Sequence, residues 1–220
     1  MTESSPYGGG LFGRLRDACA EDWRAYIEHP FVRQLGAGNL AEASFRHYLA
    51  QDYLFLIHFA RAYALAIYKA ESLADMRAAS ATVTALLDVE MSLHLDFCRG
   101  WGMSEADIVA EPEAMATMAY TRFVLERGMA GDILDLYVAL APCVVGYGEI
   151  GLMLAGDPRT RREGNPYLPW IEMYAGREYQ EVAEAAVAQL DSLGSRRLTP
   201  DREAVLAKTF AQATRLEAGF

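Results

Sequence analysis

The feature that most restricts the fold of this chain is a long run, from Glu42 to Lys69, that contains neither glycine nor proline. Apolar and aromatic side chains recur along it at the spacing of a helix rather than that of a strand. Nothing within these residues signals a turn. The sequence therefore predicts one long α-helix over residues 42–69.

The rest of the chain has the same helical character. Further helices are predicted at 11–28, 73–99, 112–127, 131–155, 178–193 and 200–220, and residues 156–169 form the one substantial irregular connection. Strand signals are nearly absent, since LDLYVAL belongs to a longer apolar pattern typical of a buried helix. We expect an all-α fold with a flexible N-terminus at 1–10 and a single domain at 11–220.

Composition limits the partners and the compartment. The net charge of −10 argues against nucleic acid or an anionic membrane surface, because both require a basic footprint. No window reaches about 18 uninterrupted apolar residues, and the N-terminal segment lacks the pattern of a secretory signal. Three widely spaced cysteines suit a reducing compartment. We expect a cytoplasmic protein without a membrane or nucleic-acid partner.

The segment 143–151 reads CVVGYGEIG, which has the G-x-G-x-x-G spacing of a dinucleotide-binding turn. Such a turn must follow a strand, with an acidic residue on a second strand about 20 residues later. The region after it contains a Gly-Asp-Pro breaker and NPYLPW, which cannot form a central strand. We therefore expect Gly146, Gly148 and Gly151 to lie on a buried helix, where they let a neighbouring helix or a ligand approach closely.

Cys143 directly follows Pro142, and the sequence leaves two interpretations open. If a helix begins at Pro142, Cys143 lies in the first turn, where the partial positive charge of the backbone lowers the pKa of a thiol. If Pro142 instead lies inside a helix, it kinks the axis, and Cys143 can be an ordinary buried, unreactive thiol.

Two carboxylates lie on apolar helix faces. Asp52 falls within the aromatic stripe of the long helix, and Glu217 shares a face with Leu206, Phe210 and Ala213 in the last one. Buried carboxylates are rare without a partner and frequent at functional sites, where one donates a proton and another accepts it. A structural carboxylate held by a tyrosine hydroxyl is the alternative for Asp52.

Glu90 and His94 form a third candidate, four residues apart on an apolar face. Helix bundles bind metal pairs through several inward glutamates and Glu-x-x-His motifs, but this spacing differs and no second pair occurs. We expect a hydrogen bond within the helix and no metal site.

Five segments resemble, in order, those of the TenA family, whose members include thiaminase II and the aminopyrimidine aminohydrolases. They are YLAQDYLFLIHFAR (48–61), Glu90-x-x-x-His94, LAPCVVGYGEIG (140–151), PWIEMY (169–174) and RLEAGF (215–220). The resemblance covers nearly the whole chain from residue 30 onwards and points to the branch that carries a cysteine. It implies a haem-oxygenase-like helical bundle that needs no cofactor and assembles as a homotetramer.

The resemblance also implies a reaction, namely hydrolysis at the 5-methylene of a 4-amino-2-methylpyrimidine, with an amine or the thiazolium of thiamin as leaving group. Cys143 would be the nucleophile that adds to the ring, Glu217 the acid and base, and Asp52 the acceptor for the 4-amino group. The aromatic residues assigned to substrate binding are Phe55, Tyr120, Tyr147, Tyr174 and Phe220.

The sequence departs from the family pattern at Phe55, where many relatives have a tyrosine, so one hydroxyl near Asp52 is missing. Two other functions compete with the hydrolase. One is a metal-dependent oxidase or oxygenase on the same scaffold that uses Glu90 and His94. The other is a non-enzymatic protein that binds a pyrimidine or thiamin.

Overall fold

The structure is a computed structural model that describes residues 7–100, Gly102 and residues 104–220. These residues form helices and no strand, which confirms the all-α prediction. The helices are α1 (Gly10–Ala18), α2 (Ala20–Ile27), α3 (Pro30–Ala37), α4 (Glu42–Lys69), α5 (Leu73–Ala85), α6 (Met91–Arg99), α7 (Glu105–Ala110), α8 (Met115–Ala130), α9 (Ile133–Gly156), α10 (Leu168–Ala175), α11 (Arg177–Arg197) and α12 (Pro200–Gly219), and a π-helical turn, Leu86–Glu90, joins α5 to α6.

Part of the predicted flexible segment 1–10 can be followed. Residues 1–6 lie outside the described residues, whereas Tyr7 is buried and Gly10 begins α1. Leu11 is the first core residue of that helix, and its backbone N–H donates to Asp191 Oδ1 at 2.6 Å. Flexibility of residues 1–6 stays a prediction.

The helices form two compact units, of which the first contains the residues up to Leu40 together with Tyr137–Gly219. Within it, α12 packs against α1 and α2, while α11 packs against α1 and α10. Phe12, Trp23 and Phe210 lie at its centre, with ring centroids 5.6–5.7 Å apart. Aromatic burial of this kind is the main source of stability where three helices meet.

The second unit contains Ala41–Leu136 together with Phe220. Its central element is α4, whose bounds agree with the prediction and which packs against α5, α6, α7 and α8. The buried Gln51 on α4 fixes the start of α8, since its side-chain oxygen accepts from Ala114 N at 2.8 Å and from Thr117 Oγ1 at 2.7 Å. This bond satisfies one of the free N–H groups that every helix start leaves.

Several predicted helix boundaries were wrong. The helix expected over 11–28 is divided at Cys19, and a further helix that was not predicted, α3, begins with Pro30 at its first position. Proline suits that position because its missing N–H would have no helical partner there. Two further short helices, α7 and α10, were not predicted, and α8 begins and ends three residues later than expected.

The position of Pro142 decides between the two interpretations of Cys143. Helix α9 continues from Ile133 to Gly156 with Pro142 inside it, so no new helix begins there. Of the two interpretations, the one in which a helix N-terminus at Pro142 lowers the pKa of Cys143 is therefore excluded. Pro142 has no N–H to donate to the carbonyl of Val138, and α9 tolerates this loss because the rest of the helix is deeply packed.

Helix α9 is also the one helix in the described part of the chain that is long and apolar enough to cross a membrane. However, 78% of its most apolar window is buried inside the protein, as in the core helix of a globular protein. The helix also carries Asp135 and Glu149, of which Glu149 forms an ion pair with Arg16.

The glycines of α9 serve close packing, as expected. A Cβ at Gly151 would lie 2.5 Å from the carbonyl carbon of Tyr174 on α10, and a Cβ at Gly146 would overlap the ring of Tyr26. All three glycines of the G-x-G-x-x-G pattern lie in the interior of a helix, so the dinucleotide interpretation is excluded.

Replacing Gly151 by alanine should destabilise the protein, because the new methyl group meets backbone that cannot move aside. We expect a loss of about 1–3 kcal/mol, the usual cost of overpacking. The matched control is Gly156→Ala at the end of the same helix, where a Cβ meets nothing within 4 Å. Thermal denaturation should show a melting temperature several degrees lower for Gly151→Ala alone; equal values for both variants would contradict the packing argument.

Candidate active site

The second unit contains a buried carboxylate on the apolar side of α4. Asp52 is 4% exposed, and Tyr48, one turn earlier, donates its hydroxyl to Asp52 Oδ2 at 3.2 Å. The predicted position of Asp52 on the apolar face of α4 is confirmed, and the tyrosine hydroxyl that the structural alternative requires is present as well. A buried carboxylate with a single neutral donor would still be costly, so a further partner is needed.

That partner is His94, whose role was missed in the sequence. His94 Nε2 lies 2.7 Å from Asp52 Oδ2, and His94 Nδ1 lies 2.9 Å from the backbone carbonyl oxygen of Glu90. The expectation of a purely local interaction with Glu90 was therefore incomplete, because the ring bridges from α6 to α4. The sequence does contain a pattern that could have predicted the contact between His94 and Asp52, since both residues lie on apolar faces of their helices.

The contacts of His94 determine its protonation. A carbonyl oxygen and a carboxylate oxygen both only accept, so each ring nitrogen has to donate, which requires the imidazolium form. Burial by itself lowers the pKa of His94, but the hydrogen bond and charge of Asp52, together with Glu90, outweigh burial and raise this pKa to about 9. The pair is thus a buried ion pair near neutral pH.

An aromatic cluster adjoins this ion pair in the second unit. Phe55, less than one turn after Asp52 on α4, stacks on Tyr120 with ring centroids 5.2 Å apart and lies 5.3 Å from the ring of Phe220. Phe220 also contacts Tyr48, at 6.4 Å. The structure therefore brings together four predicted substrate-binding residues, Asp52, Phe55, Tyr120 and Phe220.

In the first unit, Cys143 differs from the other two cysteines. Cys19 and Cys98 are buried, and burial raises the pKa of both thiols, whereas Cys143 is only partly buried. The next residue, Val144, accepts a hydrogen bond from Tyr179 of α11 at 3.1 Å through its carbonyl oxygen. Cys143 is therefore the most accessible of the three thiols, and a nucleophilic thiol has to be accessible to its substrate.

A second aromatic cluster lies close to Cys143 in sequence. Tyr147 follows it by one turn of α9 and contacts Tyr174 on α10, with ring centroids 4.9 Å apart. Trp170 contacts both rings, at 5.9 Å and 4.4 Å, and Tyr179 lies 4.6 Å from Tyr174. Tyr147 and Tyr174 were predicted site residues, while Trp170 and Tyr179 were not.

Glu217 lies on α12 in the first unit and is 5% exposed. It shares the buried face of that helix with Phe210, Ala213 and Thr214, which confirms its predicted inward orientation. The structure thus places Cys143 and Tyr147 on α9, Tyr174 beside Tyr147, and Glu217 on a separate helix of the same unit.

The described part of the chain contains no candidate metal site. No three histidine, cysteine, aspartate or glutamate side chains lie close enough together there to hold a metal ion. Both ring nitrogens of His94 are already engaged, with Asp52 and with the Glu90 carbonyl.

Similar proteins of known structure or activity place the chain in a family. A solved structure from Silicibacter sp., described as a TenA family transcription regulator, is 46% identical, covers 98% of this chain and 96% of its own, and superposes with a TM-score of 0.91. An aminopyrimidine aminohydrolase from Halalkalibacterium halodurans is 37% identical over 90% of this chain and 88% of its own length.

A third similarity concerns the fold alone. A domain from Shewanella denitrificans, described as having a heme oxygenase-like fold, is 15% identical and covers 94% of this chain and 89% of its own, with a TM-score of 0.71. The predicted haem-oxygenase-like fold is confirmed. One family model, that of the TENA/THI-4/PQQC family, matches residues 16–220. The chain belongs to the TENA/THI-4/PQQC family.

Proposed function

We propose that this protein is a C–N hydrolase that converts a 4-amino-5-aminomethyl-2-methylpyrimidine, or a related compound such as thiamin, into hydroxymethylpyrimidine. The observation that carries the proposal is Asp52, a buried carboxylate beside an aromatic cluster, in a chain 37% identical to an aminopyrimidine aminohydrolase. A flat aminopyrimidine offers an amino group to such a carboxylate and a π face to such rings.

Substrate recognition is assigned to Asp52 and to the two aromatic clusters. Asp52 accepts a hydrogen bond from the 4-amino group, while Phe55, Tyr120 and Phe220 provide apolar surface for the ring. Tyr147 and Tyr174 contribute further aromatic surface and hydroxyl groups. Phe55 can stack on the pyrimidine but cannot donate a hydrogen bond, so its own contribution is ring contact alone.

In the proposed reaction the Cys143 thiolate adds to a ring carbon next to the one that bears the methylene, and Glu217 protonates a ring nitrogen. The electron pair of the ring then expels the protonated amine from the methylene as ammonia, as the C–N bond breaks. Water adds to the exposed methylene carbon and gives its proton to Glu217, the ring nitrogen releases its proton to solvent, and the thiolate leaves. One water is consumed, and one ammonia and one alcohol are formed.

We further propose that the protein works in the cytoplasm as a homotetramer without a cofactor. The small, odd number of widely spaced cysteines supports a reducing compartment. Self-association is supported by large apolar side chains exposed in the second unit, among them Tyr68, Leu73 and Met129, which are 84%, 67% and 69% exposed.

A binding protein is the second candidate, because the relative from Silicibacter sp. is described as a transcription regulator. The net charge of −10 weighs against direct contact with DNA. A non-enzymatic protein would bind a pyrimidine without turnover, and its affinity would survive the loss of Cys143.

The first test is the reaction itself. Purified protein incubated with 4-amino-5-aminomethyl-2-methylpyrimidine should release ammonia and hydroxymethylpyrimidine in equal amounts. Cys143→Ser should reduce kcat/KM by roughly a thousand-fold or more, since the nucleophile is lost. Cys98→Ser, which removes a buried thiol elsewhere, is the control and should remain active. Binding of a pyrimidine without turnover by the parent protein, on this compound and on thiamin, would favour the binding protein instead.

The second test concerns the acid and base. Glu217→Gln should reduce kcat by about 10²–10⁴-fold with little change in KM, because a general acid–base group acts mainly in the transition state. Glu203→Gln on the same helix is the matched control, since Glu203 pairs with Arg14 at the surface. Full activity of Glu217→Gln in a steady-state assay would remove this residue from the mechanism.

A further inference from the structure

Asp52 holds its two carboxylate oxygens in different environments. Oδ2 accepts from both His94 Nε2, at 2.7 Å, and the Tyr48 hydroxyl, at 3.2 Å. No described residue donates a hydrogen bond to Oδ1. One oxygen is therefore fixed by the protein, and the other keeps its capacity to accept.

We propose that His94 is a positioning residue for substrate recognition: as an imidazolium, it holds Asp52 Oδ2, so that Oδ1 is presented to the 4-amino group of the pyrimidine. This inference rests on the proposed function, and it adds a residue that takes no part in the proposed reaction steps. His94 acts through Asp52 and does not itself touch the substrate.

The orientation of the Asp52 carboxylate requires a strong donor. An aspartate carboxylate rotates easily about its last torsion, which is broad and two-fold. A charged donor on one oxygen fixes this rotation far better than the tyrosine hydroxyl alone. Because both side chains are almost fully buried, with that of His94 3% and that of Asp52 6% exposed, bulk water does not take over this task.

The π-helical turn before α6 determines how His94 reaches α4. This turn ends at Glu90, and the carbonyl of that residue accepts from His94 Nδ1. A π turn inserts one residue into the helix and so rotates the subsequent residues by about 100°. Without this insertion, position 94 would face a different direction, and the imidazole would not meet Asp52.

A second histidine in the same unit has a different environment, so the arrangement of His94 is specific. His58, on α4, lies 3.2 Å from Glu113 Oε1, but this carboxylate also pairs with Arg122, and burial together with Arg122 lowers the pKa of His58. His94 instead contacts Asp52 through Nε2 and the Glu90 carbonyl through Nδ1, and among the described residues only the charges of Asp52 and Glu90 act on its pKa. His58 therefore provides the matched control.

The decisive experiment is a double-mutant cycle on ligand binding, measured by calorimetry. The two ligands are 4-amino-5-hydroxymethyl-2-methylpyrimidine and its analogue without the 4-amino group. His94→Ala and Asp52→Asn should each weaken binding of the amino compound at least ten-fold and binding of the analogue less than two-fold. The double variant should bind like the single ones, because both changes remove the same interaction.

Two further variants serve as controls: one retains a donor to Asp52, and the other changes a histidine that does not contact Asp52. His94→Gln, which retains an N–H donor, should recover part of the affinity, and His58→Gln should bind like the parent protein. In turnover assays His94→Ala should raise KM more than it lowers kcat. Equal losses with both ligands, losses that add in the double variant, or no loss at all would overturn the positioning role.

A direct measurement covers the case in which His94→Ala does not fold. In ¹⁵N NMR of the parent protein, one of the four histidines should titrate well above the others, and Asp52→Asn should shift that titration to lower pH. A neutral His94 in the parent protein at pH 7 would overturn the proposal. If the parent binds neither ligand, the proposed function fails, while the NMR result still decides whether His94 holds Asp52 as an imidazolium.

Discussion

Burying a carboxylate inside α4 imposes a requirement that the surrounding helices have to meet. Asp52 lies at the middle of a helix that is buried on most sides, where an isolated charge would cost several kcal/mol. The chain meets the requirement with His94, 42 residues away, and with the hydroxyl of Tyr48. The π turn before α6 and the packing of α4 against α6 together bring this imidazole to this carboxylate.

Much of the fold could be predicted because helix signals are local. The bounds of α4 agree with the prediction, since apolar side chains recur at helical spacing along residues 42–69 and nothing within them breaks a helix. The prolines were harder to interpret, because this residue type has two different roles in the chain. Pro30 begins α3, whereas Pro142 lies inside α9. Which role a proline takes depends on tertiary packing, and a local pattern does not contain that information.

The candidate site could be predicted in part, for a related reason. Asp52 and Glu217 were identified because a carboxylate on an apolar face is anomalous in the sequence itself. The contact from His94 to Asp52 was missed because it joins two helices, and because a π turn breaks the constant periodicity on which helix prediction relies. Trp170 and Tyr179 were missed because a buried aromatic residue near a site looks like any core residue in sequence.

The buried carboxylates of Glu149 and Asp52 differ in how their oxygens are hydrogen-bonded, and this difference separates a carboxylate that stabilises the fold from one that can bind a ligand. Glu149 in the first unit accepts from Arg16 at Oε1 and from the Trp23 indole at Oε2, so both oxygens are committed to the protein. Asp52 receives both of its donors on one oxygen, which neutralises the charge and leaves the other oxygen available. A carboxylate that only stabilises the fold gains by using both oxygens, since each unmade hydrogen bond costs free energy. The asymmetry at Asp52 therefore suits a ligand-binding carboxylate, because the missing bond is the one that a ligand can supply.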